Sequence, residues 1–470
     1  MWVEKLFPEQ RPSFEFVLTR SGTLLISEVS AGKTYISMAA LEHLTPTLSL
    51  VVAPLTSLDI TWAPKLATLP QKLCRSWDEF KETRVAIHGR PPAPTALNSS
   101  RDVPGAVLLI HHQYLAKKGM AEKLERVPWD FVIIDESQGI KDRNSATSRA
   151  ARRLRHARRR LALSATPLDK SPIDVWAQMR FVDHTVLGEH FRDFEREFCY
   201  RGGYKDHEII FRREQLPVLL QRLEGRIFRL DKSFLQLKPI HVHMVPVTLL
   251  GAQRRLYDQM ETHGIAQVDG VVIPAPLKVS RQVKLEQITG GTVKDLDHIT
   301  HHIGDAKLRK LRALTARLEP PIVIFCKYLA EIPLIQAALP QGRGRGRVSV
   351  HGILTGAVVG DARTELINDF QANKVDYLIC QMRTGGVSIE LTAASTLIFY
   401  SLNFSLIDFE QVCGRFHRGS QTREVNVYVL HAVDTVDQEI VDQIEAKKAT
   451  FYSVVQHFTQ TSPPDASSAR

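Results

Sequence analysis

Short apolar runs at positions 24–26, 48–53, 106–110, 131–134 and 161–163 punctuate the first part of the chain, separated by segments with helical spacing or turn residues. The runs are continuous rather than alternating, which is the pattern of strands covered on both faces, so they predict a parallel sheet flanked by helices. A second set recurs at 322–325, 348–350, 377–380, 396–400 and 425–429, again with helical stretches between. The chain is therefore expected to hold two α/β lobes. Between them, from about 180 to 304, the pattern turns charged and irregular, with 192–198 and 215–223 reading as amphipathic helices of a long insertion. Pro239, within 237–240, marks a hinge, and Gly290-Gly291 a further flexible point. The expected division is an N-terminal lobe over 1–236, a hinge and second helical insertion over 237–304, a C-terminal lobe over 305–460, and a disordered tail over 461–470 rich in Pro and Ser.

The 470 residues exceed what one hydrophobic core usually supports, in keeping with two domains. Lys plus Arg number 61 against 51 Asp plus Glu, a net charge of +10 that favours a polyanionic partner such as nucleic acid. Cys74, Cys199, Cys326, Cys380 and Cys413 form no C-x-x-C pair, so neither a zinc ribbon nor a disulfide framework is indicated, and a reducing, intracellular compartment fits. Glu4, Lys5, Glu9 and Arg11 stand where a signal peptide needs an apolar run, and no apolar stretch is long enough to span a bilayer. The expectation is a cytoplasmic monomer without a membrane partner.

Candidate chemistry changes this picture. After the run at 24–26 comes Ser30-Ala31-Gly32-Lys33-Thr34, a turn whose backbone N–H groups and following helix could surround phosphates. Lys33 would neutralise the β and γ oxygens of ATP and the Thr34 hydroxyl would bind magnesium, although Ser27 stands at the first glycine position of G-x-x-x-x-G-K-T. Asp135 and Glu136 follow the apolar run 131–134, so both carboxylates emerge at the carboxyl end of a buried strand. There Asp135 could hold the metal and Glu136 could deprotonate the attacking water. Arg415 and Arg418, three apart, are expected on one face of a helix as arginine fingers for the γ-phosphate.

In this order the motifs resemble those of superfamily 2 helicases, specifically the Swi/Snf-like family of DNA-translocating ATPases, over nearly the whole chain. Leu6-Phe7-Pro8-Glu9-Gln10 is similar to its glutamine motif, and 51–55 with Trp62 to motif Ia. Leu163-Ser164-Ala165-Thr166-Pro167 followed by Trp176 resembles motif III, 383–394 motif V, and 411–418 with Gln421 motif VI. Gln253, Leu256, Tyr257, Arg281-Gln282, Lys307-Leu308 and Asp434-Thr435-Val436 agree as well. The resemblance implies two RecA-like lobes with helical insertions, ATP and Mg2+ as cofactors, and duplex DNA as partner. It further implies that Gln10 contacts adenine and that Ser30 to Thr34 cradle the phosphates. Coupling between ATP and DNA would fall to Gln138, Ser164, Thr166, Gly386 and Gln411, and DNA backbone contacts to Thr56, Ser57, Lys327, Arg383 and Thr384. The departures are Ser30 for glycine, Ser137-Gln138 for Ala-His, and Ser388 and Glu390 for Gly and Asn.

Other features weigh less. The seven arginines from Arg149 to Arg160 are read as a solvated helix face, the Gly-Arg repeat over 342–347 as a flexible basic loop that could touch phosphates or equally be an exposed connection, and His298, His301 and His302 as free surface histidines. Phe194 and Phe198 are read as the apolar side of an insertion helix. A DNA translocase is the leading expectation; a strand-separating DNA or RNA helicase and a non-hydrolysing DNA- or protein-binding scaffold stand beside it.

Overall fold

All five apolar runs of the first part become parallel strands of one sheet. The structure, a computed structural model, describes residues 1–88, 104–167, 171–202, 208–340, 343–344, 347–382 and 389–457. The strands are β1 (Gly22–Ser27), β2 (Leu48–Ala53), β3 (Lys72–Cys74), β4 (Ala106–His111), β5 (Phe131–Ile134), β6 (Arg159–Ser164) and β7 (Ile227–Leu230), in the order β3-β4-β2-β5-β6-β1-β7. Every pairing among them is parallel. Residues of β1, β2 and β5 are all buried, which explains why their sequences are apolar without alternation.

The second sheet is also parallel throughout. It comprises β8 (Ile240–Val247), β9 (Ile322–Cys326), β10 (His351–Leu354), β11 (Tyr377–Gln381), β12 (Thr396–Phe399) and β13 (Val425–Ala432), in the order β8-β13-β12-β9-β11-β10. Two compact units result, Met1–Leu235 with the chain from Lys447 on, and Gln236–Ala446. The first is centred on Leu25, Ile36, Val51, Ile133 and Leu163, the second on Ile288, Ile324, Ile335, Ile379 and Ile398. Among the described residues no helix is long and apolar enough to cross a membrane.

Several expectations need correction. The stretch 180–304 is not only insertion, because it carries β7 beside β1 and β8 beside β13. The strand expected at 348–350 enters the sheet later, at His351. Gly290 and Gly291 are buried rather than flexible: the Gly290 carbonyl accepts a 2.8 Å bond from Tyr400 Oη, and the Gly291 carbonyl one of 2.9 Å from Ile303 N. The arginine run is α-helical to Arg153, continues as a 3-10 turn over Leu154–His156 and ends in β6, where Arg159 donates to the carbonyls of Val17, Leu18 and Arg20. His301 is not free, its Nε2 lying 2.9 Å from Asp295 Oδ2. Phe194 and Phe198 are buried, as expected of a helix's apolar side. Of the repeat at 342–347, residues 342, 345 and 346 fall outside the described residues, while Arg343–Gly344 pairs antiparallel with Arg347–Val348; the tail at 461–470 lies wholly outside them.

Candidate ATP site

Adjacent strands β5, β6 and β1 deliver three motifs to neighbouring carboxyl ends of the first sheet, the place where open parallel sheets carry ligands. From β1 the backbone continues one residue along β7, Glu28 N donating to Leu230 O at 3.1 Å, and then turns as Ala31 N donates to Glu28 O at 3.0 Å. The turn needs two left-handed residues, Ser30 at φ 74° and Gly32 at φ 98°. Lys33 then opens the helix Lys33–Leu44 with Thr34 in its first turn, so a helix N-terminus follows directly on the carboxyl end of β1.

Gln10 closes on this turn from the side. It is buried, its Nε2 donates to Ala31 O at 2.8 Å and its Oε1 accepts from Phe7 N at 3.0 Å. A Cβ at position 32 would collide with the Gln10 amide nitrogen, so the glycine answers both a backbone angle and a close approach. These two bonds use one of the two N–H groups and one of the two lone pairs of the amide.

Across from the turn, Asp135 is held on every side. Its N–H donates to Val52 O at 2.8 Å, its carbonyl lies 2.7 Å from His112 Nε2, its Oδ2 accepts from Trp62 Nε1 at 2.9 Å and its Oδ1 from Glu136 N at 3.0 Å. Burial raises the Asp135 carboxyl above the usual range, with the Lys33 ammonium pulling it back down. Burial lowers the His112 imidazole in the same way. Glu136 adopts a left-handed φ of 50°, which swings its side chain toward the turn. Lys33 Nζ lies 2.5 Å from Glu136 Oε1 and 3.8 Å from Asp135 Oδ1.

A relay of hydrogen bonds leaves this pair. Gln138 Nε2 donates to Glu136 Oε2 at 2.6 Å, Ser164 Oγ donates to Gln138 Oε1 at 2.7 Å, and Thr166 N donates to Ser164 Oγ at 3.1 Å. Lys33, Glu136, Gln138, Ser164 and Thr166 thus form one connected set. Ser137 Oγ braces it by donating to Gln178 Oε1 at 2.7 Å, while Gln178 Nε2 donates to Pro167 O at 2.7 Å. Sequence reasoning missed Gln178 and His112; Trp62 was visible, but its bond to Asp135 was not.

In the second unit Arg415 is buried on the helix Leu406–Phe416, which Gln411 shares. Arg418 lies beyond the helix end, because His417 leaves the helical range with ψ 72°, so the two arginines do not share a helical face. Its Nε turns back to Gly414 O at 3.4 Å. Gln421 donates to Thr392 O at 3.1 Å and Ala394 O at 2.8 Å, tying the motif VI region to the end of motif V.

The DNA candidates fall out unevenly. Ser57 is buried and its hydroxyl donates to Pro54 O at 2.9 Å, a local cap. Lys327 pairs with Glu286, which also accepts 2.7 Å from Tyr328 Oη, and the Lys327 N–H donates to Ser401 Oγ at 2.7 Å. Thr56 sits in the one-turn helix Leu55–Ser57, while Arg383, Thr384 and Gly386 lie outside the described residues. Among the described residues no group of three or more His, Cys, Asp or Glu is arranged to hold a metal by itself.

The SNF2-related domain matches residues 14–290 and the helicase conserved C-terminal domain residues 306–420. MG018 of Mycoplasma genitalium, named as an uncharacterized ATP-dependent helicase, is 24% identical over 91% of this chain and 39% of its own length. YwqA of Bacillus subtilis, whose name is putative ATP-dependent helicase/translocase, is 23% identical over 93% of this chain and 46% of its own. The chain thus spans less than half the length of these relatives. The Sulfolobus solfataricus SWI2/SNF2 ATPase core in complex with dsDNA aligns over 96% of this chain and 93% of its own, with 20% identity and a TM-score of 0.41. With the family's domain matching residues 14–290, more than half of the 470, and including the turn before Lys33 and the Asp135–Glu136 pair, the chain belongs to the SNF2-related family.

Proposed function

We propose that the chain is an ATP-driven motor that moves along or remodels duplex DNA. The observation that carries this reading is the unbroken run of contacts from Lys33 through Glu136, Gln138 and Ser164 to the Thr166 backbone, built across three adjoining strand ends. The left-handed turn at Ser30 and Gly32, with the helix start that follows it, would offer N–H groups to phosphate oxygens, and Lys33 would add a positive charge beside them. Glu136 would orient the attacking water and take its proton as the oxygen bonds to the γ-phosphorus and the bond to ADP breaks. Arg415 and Arg418 would bring charge to the transition state.

The donor set suits magnesium, a hard cation that takes few protein ligands and keeps several waters. The Thr34 hydroxyl and the Asp135 carboxylate would hold it, and the ion would neutralise charge on the β and γ oxygens. Trp62 and the Glu136 N–H keep the Asp135 carboxylate oriented for that task. Gln10, with one N–H and one lone pair to spare, can read an adenine edge.

Contacts to DNA would go chiefly to phosphates, through Thr56, Lys327, Arg383 and Thr384, and their effect on hydrolysis would pass through Gly386 and Gln411 in the second unit and the Ser164–Gln138 relay in the first. A second reading, strand separation, is favoured by the helicase names of the relatives. ATP hydrolysis with magnesium, measured alone and with duplex DNA, single-stranded DNA or RNA, tests both. Duplex stimulation abolished in Glu136→Gln, with nucleotide still bound, is the expected result; triplex displacement without unwinding of a forked duplex then favours the translocase. Preference for single strands or RNA moves the assignment to a helicase, and no hydrolysis under any condition to a scaffold.

A further inference from the structure

We infer that His112 is a positioning residue for hydrolysis, fixing the Asp135–Glu136 peptide from the far side of β2. The inference rests on the ATPase reading above and extends it to a residue outside the expected motifs. β4 and β5 are not neighbours, since β2 lies between them. Yet His112, the first residue after β4, spans that gap and places Nε2 2.7 Å from the carbonyl of Asp135. A carbonyl can only accept, so Nε2 carries the proton and the ring donates.

The peptide it holds is the one that matters most in the site. It joins Asp135 to Glu136, whose φ of 50° lies in the left-handed region that side chains other than glycine adopt at a cost of about 1 kcal/mol or more. Such a conformation persists where its surroundings over-determine it. Here the N–H side of Asp135 is fixed by Val52 O and the carbonyl side by His112. On the opposite edge of the ring, Gly139 leaves the room: a Cβ there would overlap Nδ1 and Cε1 of His112. The ring is therefore seated between the Asp135 carbonyl and the Gly139 backbone. A tilt of that peptide would move Glu136 relative to Lys33 and Gln138 together, because both hold its carboxylate.

His112→Leu keeps the bulk and removes the donor, while His112→Gln can return an N–H near the Nε2 position. The expected result is a kcat for ATP lowered about 10- to 100-fold in His112→Leu, as for other residues that orient a reacting group, with KM changed by no more than about threefold and most of the rate recovered in His112→Gln. Gly139→Ala, which displaces the ring, is expected to match His112→Leu. A second readout needs no turnover: the indole N–H resonance of Trp62, bonded to Asp135 Oδ2, is expected to shift in His112→Leu and return in His112→Gln, with Trp62→Phe giving the assignment. A His112→Leu enzyme with wild-type kcat and an unmoved Trp62 resonance overturns the inference. So does His112→Gln being as impaired as His112→Leu. If the wild type hydrolyses no ATP, the ATPase reading falls, while the indole resonance still decides whether His112 positions Asp135.

Discussion

Ser30 holds a left-handed φ of 74° where its side chain has no natural preference for it, and the position is one that glycine would occupy without strain. Ser30→Gly is expected to leave the phosphate turn intact and to raise the stability of the first unit by up to ~1 kcal/mol, the relief of the left-handed residue being partly offset by a more flexible unfolded chain; urea unfolding followed by tryptophan fluorescence measures it. Lys33 matters to stability as well as to binding. It is the cation against which Asp135 and Glu136 are set, with side-chain exposures of only 15% for the lysine and 6% for Asp135. Lys33→Ala is expected to abolish ATP binding and to destabilise the unit by about 1–3 kcal/mol, since it leaves carboxylates near each other without their counter-charge. Adding Asp135→Asn should restore part of the lost stability and none of the binding, which calorimetry of nucleotide binding and thermal melts separate.

At the scale of elements, the Gly290–Gly291 junction is a packed corner at the end of the helix Lys278–Thr289. A Cβ at 291 would meet the Gly304 carbonyl and the φ of 90° excludes other residues. Gly291→Ala is expected to destabilise the second unit by ~2 kcal/mol or more in a thermal melt, whereas a flexible connection would tolerate it. Beside this corner Glu331 is buried, accepting from Ser401 Oγ at 2.6 Å and Tyr328 N at 3.1 Å, while its other oxygen has no hydrogen-bond partner. Burial pushes its carboxyl from the ordinary 4.5 up to about 7. The folded state therefore keeps a proton that the unfolded chain has released. Stability from this group is full below about pH 4.5 and is lost as the pH rises to about 7, by up to ~3 kcal/mol; denaturant titrations of wild type and Glu331→Gln across that window are expected to differ by this slope.

The same elements show how much could be read in advance. Nine of the ten expected strands lie where their apolar runs placed them, and the turn before Lys33 and the Asp135–Glu136 pair follow β1 and β5 as the sequence places them, because these features are local. Three strands of the two large sheets escaped because their evidence is not local. β7 pairs with β1 some two hundred residues away, β8 belongs to a sheet whose other strands begin at Ile322, and β3 has only three residues. β10 was misplaced because Gly352 interrupts its apolar pattern, at a position where a Cβ would crowd the side chains of Leu366, Leu378 and Val375. His112 and Gln178 were hidden for the same reason as β7: their partners, Asp135 and Ser137, are distant in sequence.

For the whole molecule, the net charge of +10 predicts that duplex affinity falls steeply with salt and is nearly indifferent to base sequence. Fluorescence anisotropy with scrambled duplexes at increasing KCl is expected to give one common slope; a sequence preference that survives salt would point to base readout instead. The working range of such a motor also depends on what connects its parts. At the centre of the relay stands an amide, Gln138, donating toward Glu136 and accepting from Ser164. An amide has no proton to gain or lose in the physiological range, so the direction of the relay is fixed. An imidazole at the same position, with its ordinary value of about 6.5, would reverse or double its donors as the medium acidifies. On the function proposed above, hydrolysis by the wild type should therefore hold its DNA stimulation down to about pH 6, where Gln138→His begins to lose it: the glutamine would make the connection between the two activities insensitive to acid.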